Sequence, residues 1–166
     1  MKKIVISIVL LNLLAACASN KPADTAAAPA AAPAPATRSV DAGATMSDPL
    51  NDPNSMLAKR SVYYPFDVSA VQDADKPVVQ AHAKYLSEHA NRKVRLEGNA
   101  DERGSNEYNL ALGQRRADGV KKMLVLGGAK AGQLESVSYG EEKPKAAGHD
   151  EASWSQNRRT DLNYAK

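Results

Sequence analysis

Cysteine is nearly absent from this chain: Cys17 stands alone among 166 residues. A single thiol excludes an intramolecular disulfide, so packing alone must hold the fold. Histidine is scarce as well. His82, His89 and His149 lie too far apart for metal-ligand spacing. His82 is expected beside the apolar side of a helix and the other two in solvent, and no metal or other cofactor is expected. Charge of one sign is also missing. The formal net charge of +3 falls to +1 when Lys2 and Lys3 leave with an N-terminal signal, which excludes the strongly basic face that nucleic acid requires. Long apolar runs are absent save one. Ile4 to Leu14, interrupted by Ser7 and Asn12, comes after Lys2 and Lys3 and precedes Ala15-Ala16-Cys17. A basic start, about a dozen apolar residues and small residues before a cut read as a secretory signal, too short to span a bilayer.

The stretch after the signal has little to fold with. Residues 18–57 are rich in Ala and Pro, with Asn, Asp and Ser toward the end, and show neither helical nor strand periodicity. Such a segment buries too little apolar surface to offset its ordering entropy, so a tether is expected, with a reach on the order of 100 Å at ~3.1 Å per residue. Three segments result: a signal over 1–16, Cys17 with the tether over 17–57, and one domain over 58–166.

Within that domain four stretches alternate. Val62, Tyr64 and Phe66 share one side of Ser61 to Phe66; Val94 and Leu96 alternate with Lys93, Arg95 and Glu97. Val137 and Tyr139 do so against Ser136 and Ser138, and Leu162 and Tyr164 against Asp161 and Asn163. Four strands with one apolar face each imply a sheet covered on one side. A first helix is expected after Asp73 or Asp75, with Pro77 in its first turn and Val78, Val79, Ala83, Tyr85 and Leu86 on its apolar face. A second runs from a Ser105 cap to Gly127-Gly128, with a short helical turn over Lys130 to Leu134. The order is β-α-β-α-β-β: an α/β two-layer sandwich, a four-stranded mixed sheet covered on one face by two main helices.

The densest chemistry lies between Gly98 and Ala117, where a strand end, an acidic turn (Asp101, Glu102, Arg103) and the second helix come one after another. Leu110, Gly113, Ala117, Val120 and Leu124 recur at spacings of three and four, the stripe of a half-buried helix. At roughly 100° per residue, Arg115 points away from that stripe and Arg116 sits at its edge. Arg116 is about 16 Å along the helix from Ser105, yet helical side chains lean toward the N-terminus, so Asp101 can approach it if the loop folds back. A carboxylate and a guanidinium on one concave spot make a receptor for a zwitterion. Equally, the two pair with each other, or with Arg103 and Glu107, to hold the loop.

The pattern Gly-x-Ala-Asp-Glu-Arg-Gly, then Asn109-x-x-Leu112-x-x-Arg115-Arg116-Ala117-x-x-Val120, Ser138-Tyr139-Gly140 and Asn157-Arg158-Arg159 resembles the OmpA-like peptidoglycan-binding domain over residues 60–164. The resemblance implies noncovalent binding of peptidoglycan, with the diaminopimelate of the stem peptide held by Asp101 and Arg116. It also places Phe66, Asp67, Asn99, Asn109 and Leu112 along the groove. Asn99 is a departure, because the family usually has histidine there; asparagine keeps a donor and an acceptor but no charge. Leu14-Ala15-Ala16-Cys17 resembles the bacterial lipobox, which implies lipidation of Cys17. Ala18, where an aspartate would resemble an inner-membrane retention signal, favours the outer membrane. Among lipoprotein members the resemblance implies the periplasmic protein TolB as partner and a role in envelope constriction during division; service in a secretion or motility apparatus is the alternative.

A wall-cleaving enzyme is not expected. Asp101 and Glu102 are adjacent in sequence, and no histidine or thiol shares their loop to make a nucleophile and base. Trp154 is expected to pack over the sheet edge. Arg158 and Arg159 are expected to pair at the surface with Glu141, Glu142 or Asp150.

Overall fold

The computed structural model describes residues 48–165; the signal, Cys17 and residues 18–47 of the expected tether lie outside them. Among the described residues, four strands and three α-helices occur in order: β1 (Ser61–Tyr63), α1 (Lys76–Glu88), β2 (Val94–Asn99), α2 (Asn106–Leu126), β3 (Leu134–Gly140), α3 (Glu151–Asn157) and β4 (Arg159–Tyr164). The sheet order is β1-β4-β2-β3, with β4 antiparallel to both its neighbours and β2 parallel to β3. The four-stranded mixed sheet and its two main helices match the expected architecture. The third helix, α3, is an addition: it has seven residues, too few to show a period, and starts at Asp150, whose side chain accepts from the Ser153 amide.

α2 begins where its cap predicts, with Ser105 Oγ accepting from the Tyr108 amide and Glu107 in the first turn. α1 has Pro77 in its first turn, but neither expected aspartate caps it through its side chain. Asp75 instead accepts from the Tyr63 amide, and Asp73 pairs with Lys76. Residues 48–57, expected in the tether, carry two short 3-10 turns around Pro49–Asn51 and Met56–Ala58, which bury Leu50 and Leu57 in the core. Tyr85 and Arg92 both bond to Asp48. His82 lies wholly inside, between the Lys59 carbonyl (2.9 Å) and the Tyr164 hydroxyl (2.8 Å), and burial holds its pKa below the ordinary imidazole value. It therefore stays neutral, with one nitrogen donating and the other accepting.

Two apolar assignments are corrected. On β3 the helix side carries Leu134, Ser136 and Ser138: Ser136 Oγ donates to Asp118 of α2 at 2.6 Å, and Ser138 lies against Gly113. Val137 and Tyr139 therefore face the open side of the sheet, since side chains alternate. The cause is the close approach of α2 at Gly98 and Gly113, which leaves room for serine and none for valine or tyrosine. On α2, Leu110 is exposed and Asn109 is buried in its place. The first turns of α2 overhang the sheet, where Glu141 takes the Asn109 amide in a hydrogen bond. β1 also stops early. Pro65 comes just after it, the Val68 amide closes a turn onto the Pro65 carbonyl, and Phe66 points into solvent instead of continuing the Val62–Tyr64 face.

Candidate functional site

The C-terminal ends of β1 and β2 and the first turns of α2 meet around a cleft of about 190 Å³. Phe66, Asp67, Asp101, Asn109, Leu112 and Arg116 all line it, six of the seven residues expected at a site. The seventh, Asn99, does not. Its side chain is buried, its amide donates to the Glu97 carbonyl, and its Oδ1 has no partner among the described residues. Asn99 contributes through its backbone carbonyl, which receives Arg116 Nη1 at 2.8 Å.

Arg116 is not at the edge of the core but fully inside it, at 0 % exposure. Its side chain leans back toward the start of α2 and reaches the turn after β1, where Nε donates to the Val68 carbonyl (2.8 Å) and Nη2 to that of Pro65 (3.3 Å). The guanidinium also lies over the Tyr64 ring, 4.8 Å from its centroid. Burial lowers its pKa to about 10, so it remains a cation at neutral pH. Of five N–H donors, three are spent on carbonyls and two remain.

Asp101, also buried, does not bond to Arg116. Its Oδ2 receives Arg103 Nη2 at 2.6 Å and Arg158 Nη1 at 3.1 Å, while Oδ1 receives the Arg103 amide at 3.2 Å. A carboxylate has about four acceptor positions; one is left, on Oδ1. Burial pushes the Asp101 pKa up, but the bonds from Arg103 and Arg158 outweigh it and hold the carboxyl below its usual value. A depressed native pKa contributes stability that is complete above the unfolded carboxylate value of about 3.9 and is lost as pH falls through the native one. Urea midpoints are accordingly expected to fall between about pH 5 and pH 2, with Asp101→Asn flattening that dependence.

Arg103, Gly104, Tyr108 and Arg158 line the same cleft; Gly104 and Tyr108 were not singled out from the sequence, Arg103 was expected only as a partner that holds the loop, and Arg158 only in a segment that the resemblance sets beside the groove. Arg158 and Arg159, expected at the surface, are both buried. Arg158 donates to Asp101, Glu151 and the Tyr64 carbonyl; Arg159 donates to Asp161 and to the carbonyls of Asn157 and Lys143. Alternation from Leu162 does place Thr160 inward, but no period reaches Arg158, which lies before β4. Trp154 leaves the sheet edge alone. Its ring and that of Phe66 sandwich the Arg103 guanidinium, at 4.2 and 4.1 Å to the centroids, and its Nε1 donates to Glu102. The stack stiffens one wall of the cleft. On the other wall Asp67 holds φ at 58°, a left-handed conformation that aspartate tolerates, and accepts from the Tyr108 hydroxyl.

Beside the cleft lie a buried carboxylate with one acceptor position unused and a buried guanidinium with two N–H donors unused, held by groups that cannot easily move. That pairing suits a ligand end carrying both an ammonium and a carboxylate. A larger groove of about 530 Å³ at the opposite end of β2 and β3 is bordered by Lys93, Arg95 and Glu135, exposed charges with no buried ion pair among them.

Residues 63–158 match the OmpA family. The chain is 42% identical over 156 residues to the peptidoglycan-associated lipoprotein of Pseudomonas putida, covering 94% of this chain and 93% of that one. It is 52% identical over 104 residues to the peptidoglycan-associated lipoprotein of Pasteurella multocida, covering 63% and 69% of the two chains. The crystal structure of the peptidoglycan-associated lipoprotein from Burkholderia pseudomallei superposes with a TM-score of 0.70 at 59% identity, over 71% of this chain and all of that one. The C-terminal domain of Helicobacter pylori MotB shares the fold at 20% identity, with a TM-score of 0.59 over 63% of this chain and 82% of that domain.

Proposed function

Because this chain belongs to the OmpA family, and within it to the peptidoglycan-associated lipoproteins, we propose that it anchors the outer membrane to the cell wall by gripping the diaminopimelate side chain of the stem peptide. The observation that carries this reading is the residual bonding capacity of the cleft: one acceptor on Asp101 and two donors on Arg116. In this reading the diaminopimelate ammonium bonds to Asp101 Oδ1, and its carboxylate takes the free N–H groups of Arg116. Leu112 and the Phe66 ring border the methylene chain, and Asp67 lies at the rim as a second acceptor for the ammonium. Nothing in this scheme breaks a bond, so the domain acts as a binding module and not as an enzyme.

The rest of the assignment rests on the N-terminal sequence and on family membership. Residues 1–16 are the signal, Cys17 carries the acyl chains that hold the protein in the outer membrane, and the Ala/Pro-rich stretch lets the periplasmic domain reach the wall. TolB is the expected protein partner, in the Tol machinery that acts on the envelope at constriction.

The test varies the ligand and leaves the protein intact. Residues 48–166 are co-sedimented with wall containing free diaminopimelate, with amidated diaminopimelate, and with lysine in its place. The free form is expected to bind at least about tenfold more tightly, since either change leaves buried donors of Arg116 unmatched. Arg115→Ala, on the solvated side of α2, is expected to bind as wild type does. Equal pelleting with all three walls would remove the zwitterion from the account.

A further inference from the structure

The two edges of the sheet are treated differently. β1 is three residues long, is succeeded by Pro65, and has its Tyr63 amide taken by Asp75. β3 is seven residues, Leu-Glu-Ser-Val-Ser-Tyr-Gly, with no proline, no lysine and one charge. β2 lies on one side of it and, among the described residues, no strand on the other. Its only irregularity is the register shift at the end, opposite Gly98 and Asn99. Edges of soluble proteins are ordinarily blunted by lysine, proline, a central bulge or a covering segment; β3 has no lysine, proline or central bulge, and no strand covers its free edge among the described residues.

We propose that β3 is the contact by which two copies of this chain pair, antiparallel and centred on Val137, into one eight-stranded sheet. Self-complementarity of charge under the two-fold axis points to a second copy as the occupant. Gln114 and Asp118 both bond to Ser136 Oγ, so the stripe through Glu107, Ala111, Gln114, Asp118, Lys122 and Val125 is the side of α2 that borders this edge. Ser138 lies against Gly113 and Ser136 against Gln114 and Asp118, so an axis through Val137 passes close to Gln114. That axis sets Glu107 of each copy opposite Lys122 of the other, with both residues exposed or partly so. On the open face it sets Glu135 opposite Tyr139, whose ring carries Lys143 Nζ at 3.4 Å from the centroid. Acid and lysine therefore face each other on both sides of the axis, with Glu135 shared between that lysine and Arg95 of its own chain at 3.0 Å, and small Ala111 lets the helices approach. Because the strands run in opposite directions, the two clefts lie at opposite ends of the joined sheet. One dimer then holds two ligands, with the gain in avidity that bivalence brings.

Sedimentation velocity of the full chain in detergent, over a concentration series, is expected to show a monomer–dimer equilibrium. Glu107→Lys and Lys122→Glu are each expected to weaken it about tenfold, and the double charge swap to restore it, which a folding defect would not do. Val137→Cys is expected to form an interchain disulfide on mild oxidation, while Asn163→Cys on the same open face and the wild-type chain do not. A chain that stays monomeric throughout overturns the proposal. So does a dimer that is indifferent to both single swaps and to the Val137→Cys crosslink, because its contact would lie on another face.

Discussion

Arg116→Ala is expected to destabilise the domain by about 4 kcal/mol, a large part of the roughly 5–15 kcal/mol that holds a domain of this size. The reason is structural and independent of any ligand. The guanidinium is the one donor shared by the carbonyls of Pro65, Val68 and Asn99, and so ties the turn after β1 to the end of β2. Removing it strips the carbonyls of Val68 and Asn99 of this donor, at about 1–3 kcal/mol each where water cannot reach, leaves that of Pro65 with only the Val68 amide, and opens a cavity beneath Tyr64. Arg116→Lys is expected to recover only part of the loss, because a single ammonium cannot meet three divergent carbonyls. Urea denaturation of the three proteins measures this directly. Wild-type stability in the alanine variant would mean that water satisfies the carbonyls and that Arg116 is present for the ligand alone. For the same reason wall binding is better tested by altering the diaminopimelate than by altering Arg116.

The second large effect is expected at a residue with no side chain. A Cβ on Gly98 would stand 2.6 Å from the Gly113 carbonyl carbon and closer still to its oxygen. Both neighbours are backbone, so α2 as a whole must lift from the sheet. Gly98→Ala is expected to cost about 3 kcal/mol or more, lowering the melting temperature by something like 10–20 °C for a domain of this length. Displacement of α2 also draws Arg116 away from the Asn99 carbonyl, so wall binding should fall together with stability. By contrast Gly132, with open space around it, should accept alanine with little change in melting temperature. If Gly98→Ala and Gly132→Ala melt alike, α2 is not held against β2 as closely as this packing implies.

Much of the fold was legible because it rests on short-range pattern. The stripe of α2 from Gly113 through Ala117 and Val120 to Leu124, the Ser105 cap and the alternation of Val94 with Leu96 are local matters of period and cap. They determined the two-layer architecture and separated solvated Arg115 from Arg116 without any tertiary contact, although only the fold put Arg116 fully inside and not at the core's edge. The expectations that failed were those where a neighbour overrode the pattern. Val137 and Tyr139 look like the buried face of β3 by hydropathy, but Gly98 and Gly113 bring α2 so near that serines must occupy that face. Leu110 lost its place to Asn109 because the start of α2 meets the 141 loop instead of the sheet. At the cleft, residue type and the family pattern together indicated Asp101 and Arg116. Only the fold could decide that Asp101 binds Arg103 and Arg158, 57 residues further along the chain, and not Arg116. Partners so distant in sequence leave no periodic trace, because what joins them is the meeting of two strand ends and a helix start in space.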